Sequence, residues 1–167
     1  HYPLRRQRQM CIRDRLIPAD TPGISFGKNE KKMGWNAQPT RAINFDNVRV
    51  PVENRLGEEG QGFAIAMDGL DGGRINIATC SVGTAQKAII DATEYTQQRN
   101  QFGNSIADFQ ATQFSLADML TELVAARQMV RLAAHKLDIK DGQAGTYCAM
   151  AKRFATDVGF RICNDAL

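Results

Sequence analysis

Ile75, Ala78, Val82, Ala85, Ile89 and Ala92 climb the middle of the chain in steps of 3, 4, 3, 4 and 3. Steps that average 3.5 residues put all six side chains on one stripe of a helix, and such a stripe must be covered by other helices. The pattern recurs twice. Leu116, Leu120, Leu123, Val130 and Leu137 return at threes, fours and sevens, which predicts a helix over 108–139 with Asp108 at its N-cap. Ala144, Cys148, Ala151, Ala155, Val158 and Ile162 follow an Asp141-Gly142 turn in steps of 4, 3, 4, 3 and 4, still in phase near Leu167. Three long helices with short connections make three quarters of an up-down four-helix bundle. A fourth packing helix is expected beyond this sequence. A separate short helix is predicted over 60–70, because Gly72-Gly73 should stand at a helix start or a close approach rather than inside a helix.

Upstream the period changes from helical to alternating. Pro18, Pro22 and Gly23 punctuate the chain before Ile24-Ser25-Phe26-Gly27, which reads as a short strand. Ile43 and Phe45 alternate with polar neighbours, Asp46-Asn47 reads as a turn, and Val48 and Val50 follow before Pro51 ends the run. Two or three strands are too few for an independent sheet, so their partners are expected before residue 1. The fold class is therefore mostly α: the last strands of a barrel-like β-domain over 16–57, then an incomplete helical domain over 58–167.

Composition excludes several classes of function. The formal charge of +3 comes from residues 1–15, where Arg5, Arg6, Arg8, Arg13 and Arg15 oppose only Asp14, so the remainder sums to −1. A near-neutral folded part argues against a nucleic-acid partner. Residues 1–15 show neither a period nor an apolar h-region and are expected to be a leader foreign to the fold. No apolar run reaches the roughly 18–20 residues of a membrane span. Cys11, Cys80, Cys148 and Cys163 form no CxxC pair and share no ligand spacing with His1 or His135. No metal and no disulfide framework is expected, only buried free thiols.

Three stretches could carry chemistry. GEEGQG at 57–62 lacks the spacing of a phosphate-cradling loop and reads as a turn into a helix, with Glu58 and Glu59 complementing the dipole. LDGGRINIA at 70–78 has two readings. It is a helix junction with an intrahelical Asp71–Arg74 pair, or a wall where a ligand's acyl chain approaches bare backbone. QRNQFG at 98–103 also has two. A helix C-terminus would account for Arg99 and Gly103 but not for Phe102 and the neighbouring amides. A guanidinium that grips a diphosphate, beside an aromatic that packs on a heterocycle, would account for Arg99 and Phe102.

Taken together these motifs resemble the acyl-CoA dehydrogenase family. TPGISFGKNEKKMGWNAQPTRAINFDNVRVP is similar to the end of its middle β-domain, GEEGQGFAIAMDGLDGGRINIA to the first helices of its C-terminal domain, and AMAKRFATDVGFRICNDAL to its penultimate helix. GWNAQPTR, GGRINIA and VAARQMVR resemble the branch acting on short branched thioesters, isobutyryl-CoA foremost. The resemblance implies a FAD-dependent enzyme that removes an α-proton and a β-hydride from its acyl-CoA substrate. It also implies a dimer of dimers that shares FAD across an interface and passes electrons to an electron-transferring flavoprotein. Carried over by position, Asp71, Gly72, Gly73 and Arg74 line the acyl-CoA site, and Arg99, Phe102, Phe109 and Gln110 contact FAD.

The departures are specific. The family's base usually lies on a closing segment, expected beyond Leu167, and the minority position for it is Gly73 here, which cannot take a proton. No catalytic residue is assigned, and this polypeptide alone is expected to be inert. The resemblance implies a mitochondrial matrix or bacterial cytoplasmic setting. The competing readings are a non-catalytic helical interaction module and an oxidase-like relative that delivers electrons to oxygen.

Overall fold

The computed structural model describes residues 15–167. The leader reading lies outside the described residues except for Arg15, which bridges Arg55 in antiparallel fashion. The chain divides into two compact units, the first ending at Ala66 and the second Met67–Leu167.

In the first unit, β1 (Ile24–Phe26) pairs antiparallel with β2 (Ile43–Phe45), with Ile24 opposite Phe45 and Phe26 opposite Ile43. Asn47 takes a φ of 49°, as the Asp46-Asn47 turn requires. Gly23 has a φ of 92°, and a Cβ there would stand 2.2 Å from the Asp46 carbonyl oxygen, so both conformation and space demand glycine. In the 57–62 stretch, the Gln61 side chain accepts from the Glu58 amide at 3.0 Å, and Arg55 rather than a helix end pairs with Glu58 and Glu59.

Helix α1 runs unbroken from Gly62 to Gln98. This corrects the expected break at Gly72-Gly73. The cost of two interior glycines, about 1 kcal/mol each, is offset by the bundle contacts of Ile75 and Ala78 one turn on and by the Asp71–Arg74 pair that spans them. Helices α2 (Gln110–Asp138) and α3 (Ala144–Asp165) complete the second unit. Asp108 does not cap α2. It ends a short 3-10 turn, Ile106–Asp108, capped by the Ser105 hydroxyl, and Phe109 occupies the α2 N-cap.

Cross-helix pairs fix the directions. Lys136 meets Tyr147 and Arg161 meets Glu122, so α2 and α3 run antiparallel. Asp71 lies by Gly145 and Ser81 by Gly159, so α1 and α3 run parallel. The core is the predicted ladder for α3, with all six residues buried, and for Ala78, Val82, Ala85 and Ile89 of α1. On α2 the buried ladder is Met119, Leu123, Ala126, Val130 and Ala133, while Leu120 is 52% exposed. Ala126 and Ala133 face Ala151 and Ala155 of α3 within one core, and small residues let the two axes approach. With Met119, Leu123, Ala126, Val130 and Ala133 forming the buried stripe, Leu120 falls one residue off it and is left exposed. The expected buried thiols divide: Cys148 is buried, Cys163 is half-buried and Cys80 is exposed.

Candidate functional site

The residues singled out from sequence form two clusters, one in the first half of α1 and one just past its C-terminal end. Arg74 and Gln98 are separated by about 36 Å of helix axis at 1.5 Å per residue.

The first cluster is the Asp71–Arg74 pair, an i,i+3 ion pair whose side chains are 24% and 35% exposed. Gly72 and Gly73 lie between them, and no atom stands within 4 Å of where their Cβ atoms would be. A side chain at either half-buried glycine would meet open space, instead of a close neighbour as expected. The Asp71 carboxylate reaches the first turn of α3. Burial first, and the nearby Asp71 charge second, push the Cys148 thiol above its ordinary range, with Arg74 opposing. Asp71 is paired with Arg74, so the two side chains form one aligned charge pair.

The second cluster is a hairpin between α1 and α2. β3 (Asn100–Gln101) pairs with β4 (Asn104–Ser105) around a two-residue turn, Phe102-Gly103, with φ values of 53° and 82°. Positive φ at both central positions is the signature of a type I′ turn, which usually takes Asn-Gly. Phe102 pays strain for its place there and is 93% exposed. Its ring stands edge-on to Phe109, with centroids 6.4 Å apart. Arg99 is exposed, and its guanidinium makes no hydrogen bond or ion pair among the described residues. Gln110, exposed at the start of α2, lies one residue past Phe109.

The amides of the stretch are explained locally. Asn100 donates to the Gln98 carbonyl at 3.2 Å and Gln101 to the Asn100 carbonyl at 2.7 Å, so they shape the turn. Sequence reasoning missed Ser105, whose hydroxyl donates to the Thr96 carbonyl at 2.8 Å and accepts from the Ala107 amide at 3.3 Å. One side chain thereby ties the hairpin to the end of α1. A serine just before an apolar helical pattern was the available signal.

The donor set of the hairpin fits FAD: a planar guanidinium free for a diphosphate and two apposed aromatic rings beside it. Open space over Gly72 and Gly73 next to a charge pair fits a narrow apolar chain with a polar head.

A model described as the acyl-CoA dehydrogenase C-terminal domain matches residues 60–167. The chain belongs to the acyl-CoA dehydrogenase family. It is 54% identical to mitochondrial isobutyryl-CoA dehydrogenase of Dictyostelium discoideum and 55% identical to that of Bos taurus, each over 91% of this chain and 36% of the relative. The structure of butyryl-CoA dehydrogenase from Megasphaera elsdenii superposes with a TM-score of 0.88 at 45% identity, over 91% of this chain and 39% of that one. The chain thus spans little more than a third of the relatives it matches.

Proposed function

We propose that this chain supplies two walls of a FAD-dependent dehydrogenase that oxidises a short branched acyl-CoA, isobutyryl-CoA, to its 2,3-enoyl thioester. The observation that carries the reading is the Arg99–Phe102–Phe109 hairpin, an unpaired guanidinium and two aromatic rings displayed where a lone subunit would face water.

Arg99 grips the diphosphate of FAD, and Phe102, Phe109 and Gln110 pack beside it. Bound FAD supplies the acceptor for the two electrons that leave the substrate as a hydride. The Asp71–Arg74 wall binds and orients the acyl thioester, and the open space over Gly72 and Gly73 admits its chain. Asp71 keeps the guanidinium in place. The family resemblance supports a hairpin that serves a cofactor held mainly by another copy, in a homo-oligomer built as a dimer of dimers, and the separation of the two clusters by about 36 Å of helix axis is compatible with that. Electrons pass onward to an electron-transferring flavoprotein. The setting is the mitochondrial matrix or the bacterial cytoplasm.

The test is turnover by the complete gene product with isobutyryl-CoA, butyryl-CoA and a long straight-chain thioester, using an artificial electron acceptor. The highest kcat/KM with isobutyryl-CoA supports the reading. A preference for a long straight chain, or no turnover with any thioester, refutes it.

A further inference from the structure

Gly145 is the second residue of α3, and its backbone does not need a glycine, because it is not among the residues with positive φ. Glycine is a poor helix former, so the sequence gives up helix propensity at this position. The surroundings supply a reason. A Cβ on Gly145 would stand 3.1 Å from Oδ2 of Asp71, tighter than most such contacts, so the carboxylate would have to give by a few tenths of an ångström, and 3.6 Å from Oδ1, an ordinary contact. The carboxylate packs directly against the position a side chain would take. It meets the first turn of α3, where the helix dipole favours an anion. From the other side Arg74, on the same helix as Asp71, completes the clamp.

We infer that Gly145 is a positioning residue for the acyl-CoA wall: the space left by its missing side chain seats Asp71, and Asp71 so seated fixes the Arg74 guanidinium. The inference rests on the reading of Asp71 and Arg74 as that wall. Two constraints on one carboxylate, from α1 and from α3, leave Arg74 a single partner position. The buried Cys148 thiol, one turn along α3, senses the same Asp71 charge.

The test measures binding of a non-oxidisable thioether analogue of isobutyryl-CoA to the complete, FAD-loaded gene product by calorimetry, with KM, kcat and thermal midpoint beside it. Gly145→Ala is expected to weaken analogue binding and raise KM about fivefold, with kcat nearly unchanged. The thermal midpoint stays level or rises, since alanine favours the helix, so weaker binding is not a sign of unfolding. In an Asp71→Ala background the same change at Gly145 is expected to shift binding by less than about twofold, because the residue that transmits its effect is gone. Unchanged binding in Gly145→Ala, or the same loss in both backgrounds, overturns the role of Gly145. If Asp71→Ala itself leaves analogue binding untouched, the wall reading fails, and this inference with it.

Discussion

The ring of Phe102 meets that of Phe109 edge to face, the planes inclined at 69° and the centroids 6.4 Å apart. Phe109 is the N-cap of α2, so this contact ties the tip of a hairpin to the start of a helix. The tip is strained, since Phe102 occupies a left-handed φ of 53°. Phe102→Asn should relieve about 1 kcal/mol of backbone strain and increase amide protection across 100–105 in hydrogen exchange. It should also weaken FAD retention, because the ring is lost. Better protection together with full FAD retention would remove Phe102 from the cofactor contact.

Arg99 separates affinity from stability. Its guanidinium has no partner among the described residues, so Arg99→Ala should leave the unfolding midpoint within about 0.5 kcal/mol. FAD affinity should fall by tenfold or more, and Arg99→Lys should restore only part of it, since an ammonium cannot make the paired, planar contact to a diphosphate. Flavin fluorescence titration reads both.

Ile162 is 1% exposed in the core shared by the three helices. Ile162→Ala should cost about 2–5 kcal/mol in urea unfolding through lost burial and the cavity left behind. A loss below about 1 kcal/mol would mean that the bundle closes over the site.

Lys136 and Asp141 clamp the α2–α3 turn at 2.8 Å, with Lys136 also over the Tyr147 ring. The Lys136 hydrogen bond first, then the Gln143 amide, hold the Asp141 carboxyl below its ordinary value, and the same pair raises Lys136. For Asp141 the folded value is the lower one, so its contribution is complete above the unfolded value near 3.9 and fades as pH falls through the folded one. For Lys136 the folded value is the higher one, so its contribution is complete below the unfolded value near 10.4 and is lost as pH rises through the folded one. Asp141→Asn should flatten the acid limb of a stability-versus-pH curve. An unchanged limb would show that protonation of Asp141 contributes nothing to it.

The α3 ladder was legible because its small and apolar residues repeat without interruption and the structure buries all six. Gly72-Gly73 misled because intrinsic propensity is a local quantity, and the packing of α1 overrides it. Leu120 misled because size was weighed above phase, whereas the buried stripe through the small residues Ala126 and Ala133 has Met119, not Leu120, in phase with it. At the candidate site, Asp71 and Arg99 are common residue types whose roles only a family resemblance could suggest. The seat at Gly145 could not be read at all. It is defined by a carboxylate 74 positions away in sequence, and nothing local marks the glycine as different from an ordinary helix residue.

The most direct measurement is anaerobic titration of the complete, purified gene product with isobutyryl-CoA while the visible absorbance of oxidised flavin is followed. The account predicts bound FAD and a fall in that absorbance that saturates near one substrate per flavin. A preparation that holds no flavin, or flavin that stays oxidised under excess isobutyryl-CoA, would contradict it.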